Sequence, residues 1–205
     1  MKQPTKFGKR PKDQSGFALI EVMVSMFILT IGLCGVLAAL AYAITGTESG
    51  QEDLIARHKA LEAMESIYAA RNSQQVPFAQ INNVANGGIF LSGALPLLCA
   101  GPDGILGTAD DVACTAPDTG AACPNGGVEC LVLPGPDGIL GTADDQIMSL
   151  SNFTRTITFN PVLQTINGVT NVNPNLIAVT ITITYTKANW GSRNYTVSAL
   201  ISSYH

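Results

Sequence analysis

Charge is scarce in this 205-residue chain. Asp, Glu, Lys and Arg together make up 13%, about half the usual share in a soluble protein. With 46% apolar residues and a mean hydropathy of +0.26, that scarcity excludes a largely disordered chain and points to a segment that sits in lipid. Histidine is scarcer still, with only His58 and His205, so a histidine-rich metal site or catalytic relay has little to be built from. An excess of basic charge is lacking too. The net charge is −4 and the pI about 5.0, which argues against a binder of nucleic-acid backbones. No C-x-x-C pair occurs among the five cysteines, so a zinc site is disfavoured. No nucleophile–base pair can be read, and no enzymatic activity is expected.

The charges that exist are unevenly placed. Residues 1–16 hold five basic residues against Asp13, and residues 17–205 hold six basic against fourteen acidic ones. A basic head before an acidic body is the distribution that the positive-inside rule sets across a membrane, head in the cytoplasm and body outside. Between them, Val22 to Ile44 is free of charge. As a helix this run spans roughly 34 Å, enough for a bilayer core. Glu21 stands at its edge. A carboxylate in lipid costs a few kcal/mol or more, so it needs headgroup solvation or a partner. No Lys or Arg lies within a turn after it.

The stretch GFALIEV, Gly16 to Val22, resembles the processing site of type IV prepilins and type II secretion pseudopilins. The resemblance implies removal of a leader, residues 1–16, by prepilin peptidase, with the cut between Gly16 and Phe17 and N-methylation of Phe17. Glu21 would be the fifth mature residue, pairing with the Phe17 amine of a neighbouring subunit. Two buried opposite charges satisfy each other only in one register, so the pair would act as a register device. Ala41-Tyr42-Ala43 offers a rival cut by signal peptidase, but the apolar run is too long for that signal and Glu21 would be left without a role. The segments IGLCGV, Ile31 to Val36, and MESIYAARN, Met64 to Asn72, are most similar to PilV-type minor pilins. The minor pseudopilin I of type II secretion is similar in the same stretch.

The resemblance implies an α+β plan, the type IV pilin fold. A long N-terminal transmembrane helix packs on an antiparallel β-sheet head. Its parts would be a transmembrane and filament-core helix over 17–47, an amphipathic half over 48–72, and a head over 73–205 outside the inner membrane. Implied partners are other pilins and minor pilins, prepilin peptidase, the inner-membrane assembly platform and the membrane itself, without nucleic acid. Implied locations are the bacterial inner membrane before assembly and the pilus or cell surface after it. The implied function is that of a minor pilin in a tip or initiation complex. The alternatives are a minor pseudopilin and a calcium-dependent secreted or anchored adhesive domain.

Residues 45–50 predict a kink in the helix. Beyond it, Leu54, Leu61, Met64 and Tyr68 share a stripe that reads as a core face. Residues 73–98 read as loop with one short strand. Strict alternation in Arg155–Phe159, Ile177–Tyr185 and Tyr195–Ile201 predicts an antiparallel sheet over about 153–203, with a turn at Lys187–Gly191.

The sequence GPDGILGTADD occurs twice, at 101–111 and 135–145. Two copies do not make a solenoid. Each copy offers three carboxylates among turn-forming glycines: Asp103, Asp110 and Asp111, then Asp137, Asp144 and Asp145. Hard oxygen donors of this kind suit Ca²⁺, although the EF-hand pattern is absent. The loop is also similar to the calcium loop of the major type II pseudopilin. Two Ca²⁺ sites are one expectation, and two solvated acidic turns are the other. Cys34 lies in the apolar run as a small core-type residue. Cys99, Cys114, Cys123 and Cys130 admit three pairings. The favoured one links Cys99 to Cys114 around the first copy and Cys123 to Cys130 as a small loop.

Overall fold

In the computed structural model the described residues are 19–117, 120–187 and 191–204. Their contacts divide the chain into two units, 1–49 and 50–205. Helix α1, Leu19–Asn72, contributes to both.

In the first unit α1 is apolar and exposed. It is the one described helix long and apolar enough to cross a membrane, with a mean hydropathy of 2.4 over its most apolar window. Its hydroxyls are satisfied within the helix. Ser25 Oγ donates to Glu21 O (2.7 Å), Thr30 Oγ1 to Met26 O (2.8 Å) and Thr47 Oγ1 to Ile44 O (2.7 Å). Such back-bonding suits a helix surrounded by hydrocarbon, where a free hydroxyl has no water to bond. Gly46 and Gly50 both lie within the bounds of α1. Its remaining residues keep the ladder of hydrogen bonds that single glycines weaken but need not break.

In the second unit the latter part of α1 packs on a four-stranded antiparallel sheet. The strands are β1 (Leu95–Pro96), β4 (Phe153–Ile166), β5 (Val169–Lys187) and β6 (Gly191–Ser202), in the order β1-β4-β5-β6. β4 and β5 pair from Phe153↔Tyr185 to Ile166↔Val169, with a register shift between Pro161 and Leu163. Alternation decides the faces. Phe153, Ile157, Val179, Ile181, Ile183 and Ile201 are buried, and the threonines between them face away. Each such side chain contributes roughly 1.5–3 kcal/mol by leaving water. A long apolar N-terminal helix followed by an antiparallel sheet is the expected α+β layout, consistent with the type IV pilin fold.

The helix face agrees in part with the one predicted. Met64 is buried and Tyr68 packs on the core, as expected, together with Ala56, Ala60, Ala63, Ile67 and Ala70, whereas Leu54 is 55% and Leu61 37% exposed. The buried stripe lies about a third of a turn round the helix from Leu54 and Leu61. Alanines win the contact because their small side chains let the backbone approach the sheet closely. At the helix end Arg71 donates to Ser202 O (3.3 Å) and Ser203 O (2.6 Å), and Tyr68 Oη donates to Leu200 O (3.0 Å).

The segment after α1 carries one short strand, as expected, and that strand is β1 at residues 95–96. Phe90 plugs the core at 1% exposure. β1 covers only Thr154 and Arg155 of β4. Further along, the Asn83 side chain acts as a substitute strand. Its Nδ2 donates to Ile157 O (2.9 Å) and its Oδ1 accepts from Phe159 N (3.3 Å). A second sheet, not foreseen from the sequence, is the hairpin β2 (Cys130–Leu133) with β3 (Gln146–Ser149).

Candidate functional site

Gly16 and Phe17 lie outside the described residues. Glu21 lies in the first turn of α1, exposed. Among the described residues its carboxylate has no hydrogen-bond or ion-pair partner in the single chain.

The two copies of GPDGILGTADD fold alike. Each connects a pair of antiparallel positions at equivalent places, Cys99↔Val112 for the first and Leu133↔Gln146 for the second. In the first copy Asp103 Oδ1 accepts from Ile105 N (2.8 Å), and the Thr108 hydroxyl donates to Asp110 Oδ1 (2.6 Å). Asp110 Oδ2 accepts from Asp103 N (3.3 Å), and Asp111 Oδ2 from Gly107 N (2.8 Å). The second copy repeats these bonds at 2.9, 2.6, 3.4 and 2.7 Å. Gly101 and Gly135 are required by close approach, since a Cβ there would lie 2.2 and 2.3 Å from the carbonyls of Asp110 and Asp144. The carboxylates serve the loop's own donors, so the fold of each copy is self-supporting.

This arrangement differs from a three-carboxylate metal cage. Asp103 and Asp110 share the neighbourhood of Thr108, with Asp103 Oδ2 3.3 Å from the Thr108 hydroxyl oxygen. Asp111 turns instead to Gly107 N and to Arg155 (3.5 Å). Among the described residues no group of three or more His, Cys, Asp or Glu side chains is disposed to hold a metal. One oxygen in each copy, Oδ1 of Asp111 and of Asp145, is buried without a hydrogen-bond partner. The Thr108 and Thr142 hydroxyls hold Asp110 and Asp144 below the usual carboxylate range. Burial, only partly offset by Gly107 N–H and the Arg155 charge, pushes Asp111 up.

The surroundings of the two copies differ sharply. In the first, Ile105 and Leu106 are 2% and 6% exposed, whereas their counterparts Ile139 and Leu140 are 60% and 55% exposed. The first copy is seated against the core. Gly107 lies on Ile157 and Phe90, Gly107 O accepts from Leu91 N (2.8 Å), and Gln75 donates to Asp103 O (2.6 Å). Arg155, buried beneath it, answers Asp111. The sequence carried one signal of this role, an arginine on the apolar side of an otherwise alternating strand. Gln75 and Asn83 gave no such signal.

The disulfides are Cys99–Cys114 and Cys123–Cys130, the favoured pairing, and both are packed together with Ala116. Cys34 is a free thiol and exposed on α1, not in a core within the single chain. Lys59 is held by Glu62 (2.8 Å) and Glu129. This ties α1 to the start of β2.

Residues 11–37 match the family model of the prokaryotic N-terminal methylation motif. The motif supports a precursor of the type IV pilin-like or pseudopilin-like kind. The motif takes in the end of the basic segment from Pro11, the Gly16–Phe17 junction, Glu21 and the first part of α1. It implies processing by prepilin peptidase and assembly with other pilins in the membrane. No curated protein and no solved structure matches the chain.

Proposed function

We propose that this protein is a minor pilin of PilV type, assembled near the tip of a type IV pilus. It is cut between Gly16 and Phe17, methylated on the Phe17 amine and inserted by α1. The single observation that carries the reading is the methylation motif running directly into an exposed, uncharged helix with Glu21 at its edge. An apolar helix exposed along its length is stable in lipid or against other such helices. Glu21, unpartnered in one chain, is then answered by the Phe17 amine of the next subunit.

The test is Glu21→Ala in the producing cell. Membrane insertion persists while incorporation into filaments falls below detection. Normal incorporation would overturn the pairing. Mass spectrometry of the mature N-terminus gives methylated Phe17 if the processing is as proposed. A secretion pseudopilin shares the same motif, and deletion of the secretion assembly platform separates the two readings by whether the chain still reaches a filament.

A calcium role at the two loops is proposed in reduced form. Asp103 with Asp110, and Asp137 with Asp144, would supply carboxylate oxygens alongside backbone carbonyls. The supporting observation is the meeting of Asp103 and Asp110 around the Thr108 hydroxyl. The thermal midpoint of the chain should rise on adding calcium and return with a chelator. An unchanged midpoint removes calcium from the account.

A further inference from the structure

The repeat contains its own experiment. One sequence occurs twice with one backbone fold, once seated and once bare. The positive φ values agree, 70° and 71° at Gly104 and Gly138, and 87° at both Gly107 and Gly141. The first copy buries Ile105 and Leu106 in the core, and the loop meets Ser66 at Leu106 N, Phe90, Leu91 and Ile157 at Gly107, and Arg155 at Asp111. The second copy holds Ile139 and Leu140 outward, and a Cβ on Gly141 would meet nothing within 4 Å. Asp145 meets no cation among the described residues, where Asp111 meets Arg155.

We propose that the second copy, 135–145, is a docking tip that inserts Ile139 and Leu140 into a pocket on a different protein. The pocket is apolar, sized for two aliphatic side chains, and carries a guanidinium or ammonium group for Asp145. The first copy shows what surface this loop fits, because it already fits one. A prefolded loop loses little conformational entropy on docking, and paired aliphatic anchors beside a desolvated charge are typical interface centres.

The occupant is not a second copy of this chain. In a second copy the matching seat is filled by its own residues 101–111, bracketed by Cys99–Cys114. Another apolar groove, about 410 Å³ along Phe78, Phe159, Val172 and Ile177, has no charged residue in its lining to answer Asp145. A further one, about 580 Å³ along Leu54, Ile55, Leu61 and Leu131, is rimmed by Glu62 and Glu65. Its ammonium group, Lys59, is already held between Glu62 and Glu129. That rim repels the three carboxylates of the tip.

The test is site-specific photocrosslinking of the full chain in the cell that produces it. A benzophenone side chain is placed at Ile139, with Thr165 as an exposed control position. The expected result is one heterotypic adduct, mapped by peptide mass spectrometry to apolar residues beside an Arg or Lys. Leu140→Asp should lower its yield at least about tenfold. Asp145→Asn, which keeps an acceptor for Gly141 N–H, should lower it several-fold. The thermal midpoint should not move for Leu140→Asp, since Leu140 is 55% exposed. Asp145 takes part in the loop's own bonds, so the yield of Asp145→Asn is compared at equal folded fraction. The proposal is overturned by adducts no more abundant than from Thr165, by adducts only to another copy of this chain or to lipid, or by yields insensitive to Leu140→Asp.

Discussion

Arg155 and Thr108 show what single residues decide in the loops. Arg155 is 2% exposed in its side chain and lies 3.5 Å from Asp111. Burial lowers its pKa, and the Asp111 charge opposes that only in part. Burial likewise raises Asp111. Both charged forms are therefore disfavoured by the site, and each depends on the other. Removing one partner strands the other, so Arg155→Met should destabilise the fold by about 3 kcal/mol, measured by denaturant unfolding. Adding Asp111→Asn to Arg155→Met should recover part of that loss, which a double-mutant cycle reads. Thr108 acts through a hydrogen bond to the charged form of Asp110, which lowers that group's pKa. A lowered carboxylate stabilises the fold above the ordinary carboxylate range and loses that contribution as pH falls through its own lower value. Thr108→Val should move the Asp110 midpoint upward in an NMR titration, and Thr142→Val should do the same for Asp144.

The elements expose where residue size misleads. The core face of α1 is made mainly by alanines with Met64 and Ile67, so a search weighted by large apolar residues found Met64 and Tyr68 but added Leu54 and Leu61 from beside it. Ala60→Leu should overpack the helix–sheet contact and cost about 1–3 kcal/mol, whereas Leu54→Ser should cost less than about 0.5 kcal/mol. Calorimetry on both variants distinguishes the two faces. The repeated loops allow a matched comparison of one substitution in two settings. Leu106→Ala empties part of the core and should cost about 2–4 kcal/mol. Leu140→Ala, at the equivalent place in the second copy, should leave the unfolding midpoint within about 0.5 kcal/mol of the parent. The strands were easier to read, because alternation in β4 and β5 reports directly which side chains face the core. β2 and β3 escaped notice because four residues give too short a period to separate from loop.

At the scale of the molecule, two covalent links hold the segment that joins helix to sheet. Cys99–Cys114 closes a separation of 15 residues. Opening it with Cys99→Ser and Cys114→Ser should lower stability by about 3 kcal/mol on the chain-entropy account, read as a lower urea midpoint. The sequence by itself determined a good deal. Charge scarcity and its uneven placement located the apolar helix, because lipid admits few other compositions. Alternation gave the main sheet. The spacing of glycines, aspartates and threonine fixed the fold of each loop, since those bonds lie within eleven residues. What only the tertiary structure decided is where each loop goes. Identical sequences have identical local bonds, so nothing within GPDGILGTADD tells 101–111 from 135–145. Helix, sheet and Arg155 close over the first copy, while the β2–β3 hairpin carries the second into solvent. Burial is a property of the neighbours, and those neighbours come from distant parts of the chain.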